Sequence, residues 1–344
     1  MKRLSLILSV FLLLCSGCSN NNSNTSGIKL SGMGDNFNYP LFEMLISDYN
    51  RENNTQVAYN NNGVCLALSS VQFKSNDFIS GVRLYCKEDP TKDLTCLPIA
   101  VGAVVIAYNL PRIDTLKLNA SIISKIYRGE ITDWNHSELV RLNPNLAHCS
   151  FPITPIFRAD GSSSTYVLSN YLSDSDPIWK REMGAGISIQ YKHGIGFIEN
   201  ESVSLNIKET IGSIGYTSTE HAELMRLSSA WIKNSSGQFL KPTTESLMAS
   251  IPDEFPEGIQ TTITDSGTEN AYPITAFTWL VLSKKHYAKM SSQEQTELIA
   301  FLNYLINPAT QDRLPLSNFA PLTPKVLKEA AEIIKKLETN EKER

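Results

Sequence analysis

The sequence predicts an α/β protein of two lobes, and three observations carry that reading. Short β-rich segments alternate with amphipathic helical patterns along the 344 residues, and glycine- or serine-rich loops lead into the helices. Two such loops, around Asn36 and around Ser162, lie far apart in the chain, as they would if a small ligand were clamped between two helix starts. A chain of this length that is 42% hydrophobic can bury the cores of two domains.

Residues 1–18, MKRLSLILSVFLLLCSGC, set Lys2 and Arg3 before an apolar run from Leu4 to Leu14 and then small residues, the pattern of an export signal. The run is too short to span a bilayer comfortably. The S-G-C ending resembles a lipoprotein signal in which Cys18 is lipidated, although Cys15 stands where leucine is usual. A plain secreted protein is the alternative. Residues 19–27, SNNNSNTSG, then read as a polar tether.

The elements follow in order. IKLSGMGDNFNYP reads as a strand and a loop, after which Pro40 opens a helix with Leu41, Leu45 and Tyr49 on one face. TQVAYNNN is a strand and LALSSVQF, from Leu66, a helix. The unbroken apolar run from Leu97 to Asn109 is a buried strand. The helix in DTLKLNASIISKIYRGEITDW ends near Arg128–Gly129. FPITPIFRAD is a strand, and Pro273 to Ser283 another buried one. Ser291 with Glu294 forms a capping box for a helix through Leu305, and Thr323–Pro324 starts a last helix.

One stretch carries chemistry. In RADGSSST, Arg158, Asp160 and the hydroxyls of Ser162, Ser163 and Ser164 precede the helical pattern YVLSNYL. A helix start supplies unpaired N–H groups, and an arginine adds a fixed fork, so the stretch reads as an anion site. The plainer alternative is an ordinary N-cap with a surface arginine. Bulk charge offers no help. Of 31 basic residues, Lys2 and Arg3 go with the signal, which leaves 29 against 35 acidic ones, a net −6. That balance argues against nucleic acid, so any anion must be caught by local geometry. Beyond the signal there are four cysteines, Cys65, Cys86, Cys96 and Cys149, which permit three pairings. Cys86 and Cys96 bracket a short charged loop and are the preferred pair. No CxxC or histidine-rich spacing suggests a metal, and no cofactor motif is present in the sequence.

LSGMGDNF, SNDF, LPIAVGAVVIAYNLP, IYRGEITDWN, RADGSSST, IGSIGY and YPITAFTWLVL occur in that order. Together they resemble the periplasmic phosphate-binding proteins of bacterial phosphate ABC transporters, which have the type II periplasmic-binding-protein fold. The resemblance implies two α/β lobes joined by two crossover hinge strands: lobe I from 28–103 and 274–344, lobe II from 104–273. It implies an exported monomer, periplasmic or on the cell surface, that traps inorganic phosphate or a similar oxyanion for a membrane-embedded ABC permease. Its ligand set maps onto Arg158, Ser162, Ser163 and Ser164, with Asp160 holding the arginine, and onto Asn36 and the Phe37 N–H.

Two family ligands are missing: a serine is replaced by Val64 and an aspartate by Val82. In the family that aspartate accepts the proton of hydrogen phosphate and repels sulfate. Here Asp35 is the candidate substitute; its plainer role is to cap the helix near Pro40. The losses keep a second reading open, a degenerate member acting as an adhesin or signalling component. A third, a hydrolase using a GSSS serine, needs a base that no nearby histidine motif supplies.

Overall fold

The computed structural model describes residues 28–53, 55–61, 76–82, 93–253 and 263–339. The export signal with Cys18, the tether, the expected helix from Leu66, and Val64, Cys65 and Cys86 lie outside the described residues, so the Cys86–Cys96 pairing does too. Among the described residues no helix is long and apolar enough to cross a membrane.

The first half begins β1 (Lys29–Gly34), α1 (Tyr39–Asn53), β2 (Gln56–Asn61), β3 (Phe78–Gly81) and β4 (Leu94–Tyr108). There follow β5 (Lys117–Leu118), α2 (Ala120–Tyr127) and α3 (Ser137–Leu142). Next come β6 (Thr154–Arg158), α4 (Ser163–Ser175), α5 (Pro177–Glu182), β7 (Ile195–Phe197) and α6 (Glu199–Glu209). β8 (Ser213–Ser218), α7 (Thr219–Leu224), β9 (Ser228–Ser229), β10 (Trp231–Lys233), β11 (Phe239–Leu240) and α8 (Thr244–Met248) complete the middle. β12 (Thr275–Ser283), α9 (Lys284–Tyr287), α10 (Ser292–Ile306), α11 (Pro308–Gln311) and α12 (Pro324–Thr339) close the chain.

Local chemistry sets the boundaries. Asn119 caps α2 by accepting from Ile122 N, and Gly129 at φ 79 supplies the left-handed turn that stops it. The Ser291–Glu294 capping box opens α10. β4 and β12 are apolar on both faces and buried along nearly their whole length, which marks them as central strands.

The strand order is β2-β1-β3-β12-β4-β8-β6-β7, with β9 also beside β4. β4 changes partner along its length. Leu94 to Ala103 pair with β12, whereas Val104 to Tyr108 pair with β8. At the junction Val104 N donates to Ile274 O at 2.9 Å. One strand thus runs through two sheets, and the chain returns beside it at residue 274. Gly102 sits just before the change. A Cβ there would lie 2.7 to 2.8 Å from the rings of Phe319 and Phe37, so only glycine admits these rings against the strand. Phe37 and Phe319 meet edge to face, with ring centres 6.0 Å apart.

Candidate ligand site

Three helix starts converge at the carboxyl ends of β1 and β6. The β1–α1 loop brings Asp35, Asn36 and Phe37, and the β6–α4 loop brings Arg158, Asp160 and the serines. The third start, that of α6, brings Asn200 and Glu201, which sequence reasoning missed.

Arg158 ends β6 and is 3% exposed. Asp160 accepts from its Nε at 2.7 Å and from Nη2 at 2.6 Å, and Asn200 Oδ1 accepts from Nη1 at 2.7 Å. A guanidinium has five N–H donors, so these bonds leave two for a ligand. Ser162 caps α4, accepting from Ser164 N at 3.1 Å and Thr165 N at 3.5 Å. Ser164 Oγ donates to Asn200 Oδ1 at 3.2 Å. Behind them the Tyr216 hydroxyl accepts from Arg158 N at 3.1 Å and meets Thr165 Oγ1 at 2.7 Å, fixing strand to helix.

The two oxygens of Asp35 sit in different settings. Its Oδ1 accepts from Asn38 N at 3.2 Å, as a cap does. Its Oδ2 is buried without a hydrogen-bond partner. Burial raises the carboxyl pKa, partly offset by Ser163, Asn38 and Arg158. Ser163 lies close enough to Asp35 to oppose that rise, and its Oγ, like Asp35 Oδ2, has no well-formed hydrogen bond. Asn200 Nδ2 is the third buried polar atom without a partner here. Buried polar groups are normally paired, so an acceptor, a hydroxyl and a donor left over around Arg158 describe a place built for something polar.

Asn36 is placed differently from the expectation. Its Oδ1 accepts from Asn200 N at 2.8 Å, and its Nδ2 donates to Glu201 Oε1 and Oε2 at 3.2 and 3.0 Å. Its side chain is therefore spent on α6. The Phe37 side chain belongs to the core, which leaves its backbone N–H as its only donor. Val82 is buried and apolar, as its identity demands.

Beside the site His221 Nε2 meets Glu201 Oε1 at 3.0 Å, while its Nδ1 meets Ser218 Oγ at 2.6 Å and Glu220 Oε2 at 2.9 Å. The serine–histidine–glutamate connectivity invites comparison with a nucleophile relay. Burial pushes the imidazole pKa down, but the Glu201 and Glu220 carboxylates more than offset it and hold it up at about 9. A cationic imidazole accepts no proton, and Ser218 is buried as the cap of α7. The geometry ties the imidazole to two carboxylates and to the serine that caps α7. Glu199, one residue before Asn200, sits at φ 60, a left-handed backbone rare outside glycine and frequent at working sites. In the sequence the only local trace of this third helix start is an isoleucine, Ile198, where α6 needs a cap.

A profile of the PBP superfamily domain matches residues 19–309. The chain is 30% identical over 311 residues to the phosphate-binding protein PstS of Xylella fastidiosa, covering 89% of this chain and 84% of the relative. It is 32% identical over 267 residues to the phosphate-binding protein PstS of Haemophilus influenzae, covering 74% and 78%. Its fold is similar to a phosphate-binding protein from Stenotrophomonas maltophilia, at TM-score 0.62 and 14% identity, over 88% of this chain and 93% of that one. It is also similar to an ABC-type phosphate transport receptor from Vibrio cholerae, at TM-score 0.56 and 14% identity, over 85% and 99%. With a two-lobed sheet, converging helix starts and these relatives together, the chain belongs to the periplasmic-binding-protein superfamily and, within it, to the phosphate-binding proteins.

Proposed function

We propose that this protein captures inorganic phosphate between its two lobes and hands it to a membrane-embedded ABC permease. Lobe I is residues 28–103 and 274–344, and lobe II is 104–273; the change of partner in β4 between Ala103 and Val104 supports that division. The protein works as an exported monomer held to a membrane through lipidated Cys18, as a binder rather than a catalyst. The observation that carries the reading is the set of three partnerless buried atoms, Asp35 Oδ2, Ser163 Oγ and Asn200 Nδ2, around an arginine with two spare donors. Arg158 receives the oxyanion charge while Asp160 keeps the fork oriented. The hydroxyls of Ser162 and Ser163, the α4 start and the Phe37 N–H donate to its oxygens, and Ser164 joins them by turning its hydroxyl from Asn200 Oδ1 to the ligand. Asp35 Oδ2 accepts the ligand's own proton, the part that Val82 cannot play.

Calorimetry with phosphate tests this. A charge-assisted bond is worth about 1.5–3 kcal/mol, so Arg158→Ala should weaken binding at least tenfold, with Arg158→Lys recovering only part. If wild-type protein shows no phosphate binding at millimolar concentration, capture is refuted. The second reading, a binding fold turned to adhesion or signalling, would then stand; the buried Val82 and the commitment of the Asn36 side chain to α6 favour it.

A further inference from the structure

α6 lacks a cap of its own. Its N-cap residue is Ile198, whose side chain makes no capping bond. A helix start leaves its first N–H groups unsatisfied unless something accepts from them. Here the acceptor comes from the opposite side of the cleft, as Asn36 Oδ1 receives Asn200 N at 2.8 Å, across 164 residues of sequence. The same amide reaches on to both oxygens of Glu201 in the first turn of α6. Glu201 is held in turn by His221, 3% exposed and anchored by Ser218 and Glu220 on α7.

We infer that Asn36, Glu201 and His221 form a clasp that caps α6 in trans and so favours the shut arrangement of the lobes, setting how fast a bound anion leaves. The inference rests on the lobe division and anion capture proposed above. Opening the cleft uncaps α6 and strands the Asn36 amide. Asn200 joins the clasp to the site, since its backbone N–H belongs to the clasp and its Oδ1 holds Arg158 and Ser164. Engaging Asn36 therefore fixes the residue that orients the arginine. In this scheme Asn36 and His221 are positioning residues, and the Asn36 side chain is not a ligand donor.

The sign of one substitution separates the clasp from simple electrostatics. Removing a carboxylate beside an anion site should tighten binding if charge repulsion were its only effect. The clasp requires the reverse. In stopped-flow measurements with inorganic phosphate, Glu201→Ala and Asn36→Ala should each speed release about tenfold without slowing association. The double substitution should release no faster than Asn36→Ala alone, because that variant already loses the Glu201 contact along with the α6 cap. Release that is unchanged or slower in Glu201→Ala, or losses that multiply in the double variant, would overturn the clasp. Ile198→Asp gives a second arm, at an exposed position that touches no ligand group. With a cap of its own, α6 needs Asn36 less, so release should quicken while the thermal midpoint rises; unaltered release counts against capping in trans. Small-angle scattering without anion reads the clasp independently of capture. Asn36→Ala should have a larger radius of gyration than wild type, and equal radii would refute the clasp even if phosphate binds.

Discussion

One oxygen of Asp35 caps α1 and the other is unpaired near Ser163 and Arg158, the position from which the proposed function has it meet the ligand. Hydrogen phosphate arrives with a proton to share with Oδ2, whereas sulfate brings none and confronts a buried carboxylate. Because burial raises the pKa of Asp35, acid lets it take up a proton and donate to sulfate instead. We expect wild-type selectivity for phosphate over sulfate to shrink as pH falls, and Asp35→Asn to narrow it by about tenfold or more at neutral pH. Competition between the two anions in both proteins measures this; selectivity that survives the substitution would move the role elsewhere. His221 gives a second titration. Its pKa is raised from 6.5 to about 9, so its stabilisation is whole below pH 6.5 and is lost as pH rises through 9. The hydrogen bond from His221 lowers the pKa of its partner Glu201 from 4.5 to about 2, so that side of the pair is whole above pH 4.5 and fails only in strong acid. The thermal midpoint should therefore fall between pH 7 and 9 in wild type, and the fall should flatten in His221→Gln; an undiminished fall would assign it to other groups.

Among the elements, β4 bears the tightest constraint. Gly102 lies under two aromatic rings beside the change of partner, and a methyl group there has no space. Overpacking of this kind costs about 1–3 kcal/mol, so Gly102→Ala should lower the thermal midpoint by several degrees. An unshifted midpoint would mean that the Phe37–Phe319 pair yields easily. β4 was also the most legible element, because the apolar, β-rich run from Leu97 to Asn109 reads as a buried strand, which the structure places at Leu94–Tyr108. The capping box of α10 and the glycine stop of α2 were equally plain, since their chemistry is local. α6 was not. Its cap stands 164 residues away, and nothing within FIENES reveals an asparagine on another loop. The same limit hid Asn200 and the bonds of Asn36 to α6, because a residue's type shows that it can donate but not to what.

At the scale of the molecule, the proposed division into two lobes puts the hinge where β4 changes partner, near residues 104 and 274. Phosphate should reduce the radius of gyration modestly in wild type and more in Asn36→Ala, which starts more open; identical profiles at proven saturation would contradict hinged closure. The strand order has a further consequence, for the making of the chain. β12 lies between β3 and β4, yet it begins 194 residues after β3 ends and 167 after β4 ends. Until it emerges, β3 and the first ten residues of β4 each keep an open hydrogen-bonding edge, and the amino-terminal half has no finished sheet to fold into. A chain stopped before Thr275 should stay soluble only with a chaperone bound to those two edges.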